Sequence, residues 1–250
     1  MFINQNKNPS HKYFMKLAIT QAEKNLGNTK ENPSVGCIIT NNECVIAAGY
    51  TGINGRPHAE INAINFSKKN LQNSNLYVTL EPCSHYGKTP PCIKSIIKNK
   101  IGKVFFSIKD PDQRSYNKSS RILKKAGIKT IIGLCSKETN FLYKSYLKSK
   151  KSRLPYVVCK LAISKDFYSI NKKKKWITNI YARSRGLLMR SYFDCILTSS
   201  KTVIKDNPLL TCRISGLEEK TPTRVILDNK MKVKINSKIV QSSNIYKTII

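Results

Sequence analysis

The stretch Thr79–Cys92, TLEPCSHYGKTPPC, sits where one kind of secondary structure gives way to another. Its first residues close the run NLYVTL, which is apolar and β-rich and predicts a strand. Its last residue opens CIKSIIKNK, whose apolar residues recur at helical spacing. Cys83 therefore follows a strand end, and Cys92, directly after Pro90 and Pro91, lies in the first turn of a helix. Upstream, HAEINAINFSKKN predicts a helix with Ile61, Ala63 and Ile64 turned inward, and VGCIIT and CVIAAGY predict two short strands joined as a hairpin through NNE. Earlier still, HKYFMKLAITQAEKNL sets Tyr13, Phe14, Leu17, Ala18 and Leu26 along one helical face. Downstream come a strand KVFFSI, a helix–strand unit SSRILKKAGIKTIIG, and one further helix ETNFLYKSYLKSK that runs into a basic stretch before Pro155. This alternation predicts a largely parallel sheet covered by helices, with a domain junction at Pro155.

The chain has 250 residues, room for one large or two modest domains, and its hydrophobic fraction of 40% supplies real cores. No apolar run approaches the roughly 18 residues of a membrane span, and the start MFINQNKNPSHKYF lacks the apolar centre of a signal peptide. A cytoplasmic protein with no membrane partner is expected. The 8 cysteines would stay reduced there. Cys37, Cys44, Cys135, Cys159, Cys195 and Cys212 sit singly in apolar or mixed strands and are expected to be buried packing residues. The net charge of +31 raises nucleic acid as a partner, because lysine-rich surfaces attract phosphate without reading sequence. Yet only KKKK at Lys172–Lys175 and KSKKSR at Lys148–Arg153 are dense, and asparagine and isoleucine are abundant too. That pattern reads as compositional drift, with no specific nucleic acid expected; an acidic small substrate suits the charge equally.

One imidazole and two thiolates form the ligand set of a catalytic zinc, with the fourth position left for water. His58, Cys83 and Cys92 offer that set. The helix start is expected to lower the pKa of Cys92 and favour its thiolate. Glu60, two residues from His58, is placed to take and return the proton of a zinc-activated water. Taken singly, His-x-Glu at a helix start is commonly a cap, and Pro-Cys before an apolar helix is commonplace. In this order they match the zinc nucleobase-deaminase signature, with SHYGKTPP standing where two residues usually separate the cysteines.

That longer insert, with NPSVGCII at Asn32–Ile39 and PHAE at Pro57–Glu60, resembles the deaminase half of the bifunctional riboflavin-biosynthesis deaminase/reductase family. PYVVCKLAIS, WIT, ILTSSKTVIKDNPLLTCR and RVILD resemble the reductase half, so the resemblance covers nearly the whole chain. It implies an α/β fold: a cytidine-deaminase-like three-layer domain over 1–150, then a partial dihydrofolate-reductase-like α/β domain over 151–250. It implies zinc-dependent hydrolytic deamination of 2,5-diamino-6-ribosylamino-4(3H)-pyrimidinone 5′-phosphate, followed by NADPH-dependent reduction of the ribose to a ribityl chain. By position, His58, Cys83 and Cys92 would hold zinc and Glu60 would be catalytic. Asn32, His85 and Lys88 would face the base and phosphate of this small phosphorylated substrate. Ala162, Trp176, Thr202 and Asp206 would bind NADPH, and Lys174, Arg190, Leu210 and Arg213 the substrate of the reductase. A homo-oligomer is compatible with this reading.

The chain departs from the family pattern in three places. Thr51 stands where a substrate-contacting histidine is usual, leaving a hydrogen-bond donor without charge. After Asp110-Pro111 the chain reads DQRSYNKSS in place of Asn-Pro and Gly-x-Gly, so the loop is expected to lose its tight turns. In the second half, KDFYS replaces an Asp-Gly turn and Lys174 an expected serine. After Gly133 only Gly186 and Gly216 remain, neither at a helix start, and the sequence given stops at YKTII. On that ground this polypeptide alone is expected to deaminate and to reduce poorly or not at all. The rival from another class is a basic nucleic-acid-binding or RNA-editing protein that keeps zinc structurally.

Overall fold

The computed structural model describes residues 10–152, 154–169 and 176–250, and the chain divides into two compact units, residues 1–157 and 158–250. The first unit runs α1 (His11–Glu23), β1 (Gly36–Asn41), β2 (Cys44–Tyr50), α2 (Ala59–Phe66), β3 (Asn75–Leu80), α3 (Cys92–Lys98), β4 (Lys103–Ile108), α4 (Lys118–Lys125), β5 (Lys129–Ile132), α5 (Ser136–Leu142) and α6 (Lys144–Ser152). Its sheet has the order β2-β1-β3-β4-β5. β1 pairs antiparallel with both β2 and β3, and β3, β4 and β5 are parallel, so the sheet is mixed where the alternation suggested a largely parallel one. The antiparallel half comes from the hairpin. Asn42 and Glu43 both take positive φ, 45° and 62°, the conformation that a two-residue connection between right-twisted strands requires.

Successive strand residues enter opposite cores. Cys37, Ile39, Leu76, Val78, Val104 and Phe106 pack on one side with residues of α2, α3 and α4, while Ile38, Tyr77 and Phe105 pack on the other with Phe14, Met15 and Ala18 of α1. Both faces are thus covered, which makes three layers. Two glycines set how closely the helices lie on the sheet. A Cβ on Gly36 would come 1.9 Å from the Ala18 carbonyl oxygen, and one on Gly49 would come 2.4 Å from both the Ala59 carbonyl oxygen and the Ala63 nitrogen. Such backbone contact admits only small side chains. α1 therefore buries Phe14, Met15, Ala18 and Ala22 and leaves Tyr13 52% exposed, a stripe rotated from the expected one. α2 buries Ala59, Glu60 and Ala63, with Ile61 and Ile64 half-buried, and so turns Glu60 inward.

The segment read as one last helix is two, parted at Tyr143. Its buried hydroxyl lies 2.5 Å from Thr79 Oγ1 and donates to the Ser34 carbonyl at 3.0 Å, so the chain breaks to reach the sheet. The expected burial of the lone cysteines holds for Cys37 and Cys212 only. Cys44, Cys159 and Cys195 are exposed and Cys135 is half-buried, because Cys44 starts β2 at the hairpin turn and Cys195 lies on the outward side of its strand.

The second unit has α7 (Ile180–Arg190), β6 (Cys195–Ser199), α8 (Ser200–Asp206), β7 (Thr223–Leu227), α9 (Lys238–Gln241) and β8 (Thr248–Ile249), with β6, β7 and β8 parallel in that order. Its small core joins Val203, Leu210, Ile226 and Ile239. Arg224 of β7 has no exposed surface and no carboxylate among its described partners. Its guanidinium donates to the carbonyls of Leu209, Ile239, Ser242 and Tyr246 and to the hydroxyls of Ser242 and Thr248. Those acceptors offset the desolvation of a buried cation. No helix among the described residues is long and apolar enough to cross a membrane.

Candidate metal centre

Three elements deliver the site. His58 is the residue before α2, held extended so that its ring points past the helix start, and Glu60 lies in the first turn. Cys83 lies in the loop beyond β3, and Cys92 is the first residue of α3. The His58 Nδ1 atom lies 3.3 Å from Cys92 Sγ and 3.5 Å from Cys83 Sγ, and ligand atoms of all three residues lie within 4.8 Å of one another. One imidazole and two sulfurs in that space suit zinc, by distance and by donor chemistry.

The proton distribution differs from the expected one. The N–H of Cys92 at the start of α3 donates to Cys83 Sγ at 3.2 Å. The helix start therefore stabilises the thiolate of Cys83, not that of Cys92. The hydrogen bond from the Cys92 thiol is the largest cause that takes Cys83 down to about 4, with the imidazole and that N–H adding to it, while Cys92, holding the proton the two thiols share and buried, is pushed well up. A metal replaces that proton. The His58 ring is raised, chiefly by its hydrogen bond to Cys83. Glu60 is 3% exposed, and burial, reinforced by the negative charge of Cys83, lifts its carboxyl to about 7. It is thus neither a solvated cap nor within the ligand triangle, and it stands at the protonation balance that proton transfer near neutrality needs.

The other expected deaminase residues belong to the same unit. Asn32 is half-buried, and its Nδ2 donates to the Gly55 carbonyl at 3.3 Å. His85 Nδ1 lies 2.9 Å from the Ser115 hydroxyl, and Lys88 is exposed at the tip of the insert. Thr51, read as a remaining donor to substrate, is 2% exposed. Its hydroxyl accepts from the Val35 N–H at 2.9 Å and reaches back to the Val35 carbonyl at 3.4 Å, so it pins the end of β2 to the entry of β1. The loop after Asp110 keeps tight turns without glycine. Asn117 takes the left-handed conformation at φ 57°, and the N–H groups of Asp112 and Ser115 close turns at 3.0 and 2.9 Å.

Three residues escaped the sequence reading. Glu81 is buried, its pKa raised by that burial, and its carboxylate accepts N–H groups from Asp110, Asn117 and Ser119. Ser115 meets His85. Arg56 donates to the Thr89 hydroxyl and passes beside Gly87, bracing the insert, whose Tyr86 hydroxyl also receives Lys94. The available signal for Glu81 was a carboxylate at the end of an apolar strand, where nothing polar nearby in sequence could pair it.

In the second unit, Arg190 closes α7 and donates to the Thr211 carbonyl at 2.7 Å, between Leu210 and Arg213 in sequence; burial, with the charge of Arg213 added, lowers the pKa of Arg190. Those three expected substrate residues are brought together. Thr202 and Asp206 lie one turn apart on α8. Ala162 and Trp176 each lie outside helix and strand, with the Arg183 guanidinium 5.1 Å from the indole. Lys174, expected at the reductase substrate, lies outside the described residues.

Residues 8–108 match the family described as "Cytidine and deoxycytidylate deaminase zinc-binding region", and residues 155–250 match "RibD C-terminal domain". The chain is similar to the riboflavin biosynthesis protein RibD of Chlamydia trachomatis, 36% identical over 93% of this chain and 63% of that protein. It is also similar to that of Escherichia coli K12, 35% identical over 92% of this chain and 66% of that one. Among solved structures, the diaminohydroxyphosphoribosylaminopyrimidine deaminase/5-amino-6-(5-phosphoribosylamino)uracil reductase of Thermotoga maritima superposes with a TM-score of 0.87 at 34% identity, over 95% of this chain and 68% of that one. The chain belongs to the RibD family. It spans 63% of the length of the first two such relatives. The α/β fold class read from the sequence is the one found, and the RibD matches do not favour a basic nucleic-acid-binding protein. His58, Glu60, Cys83 and Cys92 all fall in the deaminase match, and Trp176, Thr202, Asp206, Arg190, Leu210 and Arg213 in the C-terminal one.

Proposed function

We propose that the first unit removes the 2-amino group of 2,5-diamino-6-ribosylamino-4(3H)-pyrimidinone 5′-phosphate by hydrolysis, as the deaminase of riboflavin biosynthesis. The observation that carries this reading is the convergence of His58, Cys83 and Cys92 ligand atoms within 4.8 Å, beside a buried carboxyl poised at about 7. His58, Cys83 and Cys92 would hold zinc, which when bound supplies an acidified water, its pKa brought toward about 7. Water adds to the amidine carbon, a C–O bond forms, the C–N bond breaks and ammonia leaves. Glu60 takes the proton that the water gives up and delivers it to the departing nitrogen; a carboxyl near its own midpoint does both without a large penalty. Asn32 would hold the base, and His85 and Lys88 the base and the phosphate, an anion suited to a lysine beside the backbone of Gly87.

For the second unit we propose the matching class of reaction, reduction of the deaminated ribosylamine by NADPH. The indole of Trp176 and the polar groups of α8 are of kinds that meet the rings and hydroxyls of a dinucleotide, and the Arg190–Arg213 pair suits a phosphate.

Metal analysis together with ammonia release from the pyrimidine phosphate tests the first proposal. One zinc per chain and turnover are expected in the native protein, loss of zinc in Cys83→Ser or Cys92→Ser, and retained zinc with lost turnover in Glu60→Gln. Normal turnover by Glu60→Gln would sink the mechanism. For the second proposal, saturable NADPH oxidation with the deaminated product supports it and overturns the expectation of poor reduction, and none at any substrate concentration rejects it.

A further inference from the structure

We propose that Ser115 is a positioning residue for His85, occupying one imidazole nitrogen so that the ring is held with the other turned to the substrate. The inference rests on the reading of His85 as a group that faces the pyrimidine phosphate. His85 is half-buried, two residues beyond Cys83, and its Nδ1 lies 2.9 Å from the Ser115 hydroxyl. Ser115 has no exposed surface, and among the described residues that imidazole is the hydrogen-bond partner of its hydroxyl.

The serine is itself held in place. Its N–H donates to the Asp112 carbonyl at 2.9 Å, and its carbonyl accepts from Lys118 at 3.0 Å, so it sits inside a closed turn. Glu81 draws that turn onto the end of β3, accepting the N–H groups of Asp110, Asn117 and Ser119, each at 3.3 Å, while the Ser119 hydroxyl donates to the Pro82 carbonyl. Glu81 and His85 thus stand on either side of Cys83, and the turn that the first anchors is the wall against which the second leans. This wall is built from backbone and buried side chains of the chain itself, in place before a substrate arrives.

An imidazole has two distinct nitrogens, and one engaged at Nδ1 has only Nε2 left for a ligand. A hydroxyl donates and accepts, so Ser115 supports either tautomer of His85. What it removes is the freedom of the ring to flip and turn away, a freedom a substrate would otherwise have to suppress on binding.

The experiment uses the full, zinc-loaded chain. Ser115→Ala is expected to raise KM for the pyrimidine phosphate about five- to tenfold, the weight of one neutral hydrogen bond, with kcat changed less than about twofold. In a His85→Ala background the same change is expected to have no further effect, because the serine acts through the ring. The chain has 3 histidines, so long-range 1H–15N spectra resolve the imidazole of His85 from those of His11 and His58. In the native chain its Nδ1 should report a fixed hydrogen bond, and in Ser115→Ala the ring nitrogens should average toward free histidine. Should the variant fail to fold, the native spectrum still decides, since averaged nitrogens there overturn the proposal. If His85→Ala leaves KM unchanged, the reading of His85 falls and the proposal with it. If His85→Ala raises KM and Ser115→Ala adds to it independently, only the proposal for Ser115 falls.

Discussion

Glu60 shows how one residue can be read correctly by type and still need the fold for its chemistry. His-x-Glu was legible as a string, but the burial that lifts the carboxyl to about 7 comes from Gly49, which lets α2 lie on the sheet and turns the helix start inward. The pairing of Cys83 with the Cys92 N–H was not legible, because it depends on where a loop of the strand end meets the first turn of α3. A linkage prediction follows for the metal-free chain. A carboxyl whose folded pKa lies above its ordinary value of 4.5 favours the folded state while protonated in both states, and that contribution is lost as pH rises from about 4.5 through about 7. Above that window the buried charge is a burden of about 3 kcal/mol. Metal-free Glu60→Gln should therefore match the native chain in urea unfolding at pH 4 and exceed it by that amount at pH 8. Equal stabilities at pH 8 would mean that Glu60 is not held in a desolvating pocket. With zinc, the same variant should lose at least about a hundredfold in turnover, the usual weight of a proton shuttle.

Among the elements, every strand of the first unit and its helices up to α4 were legible from periodicity, because strand runs such as NLYVTL and KVFFSI are buried on both faces and read as nearly continuous apolar runs. What periodicity missed is where contact is made by backbone. The stripes of α1 and α2 are rotated because Gly36 and Gly49 accept the helices at van der Waals distance, and a glycine in a strand pattern does not announce which helix approaches it. Tyr143, which splits the last helix, was likewise invisible: its partners Thr79 and Ser34 are far away in sequence. Gly49→Ala should push its new methyl against Ala59 and Ala63 and move the helix start that carries His58 and Glu60. The expected cost is roughly 1–3 kcal/mol in urea unfolding, the range of an overpacked core, with zinc bound at least tenfold more weakly. Gly127→Ala is the control. It has nothing within 4 Å of the new Cβ and a φ of 78°, so it should cost about 1 kcal/mol from backbone strain alone and leave zinc affinity unchanged. Equal losses of zinc in the two variants would show that close packing at Gly49 does not set the site.

At the scale of the whole molecule the dominant feature is charge. Against 45 lysines and arginines stand 14 acidic residues, of which Glu60, Glu81 and Asp110 are buried and Asp112 is paired with Arg114 and Lys150. The surface is therefore more one-sided than the formal +31 suggests. Helices such as α6, KSYLKSKKS, bury no residue and present lysines at several angles. Diffuse charge of this kind attracts any polyanion through released counterions, and its pull falls steeply with salt. Two consequences separate attraction from recognition. At low ionic strength, duplex DNA and single-stranded RNA should both bind, without preference for sequence, and should inhibit deamination by competing for the surface. By roughly 0.15–0.2 M salt, where the screening length is about 8 Å or less, both effects should fade. The phosphorylated pyrimidine should also lose kcat/KM as salt rises, and its dephosphorylated analogue much less, because only the first is steered by the field. Filter binding and initial rates across a salt series measure all three. A complex with one RNA that stays tight and sequence-dependent at 0.2 M salt would show that the lysines are arranged for recognition, and the small-molecule reading of the charge would then be wrong.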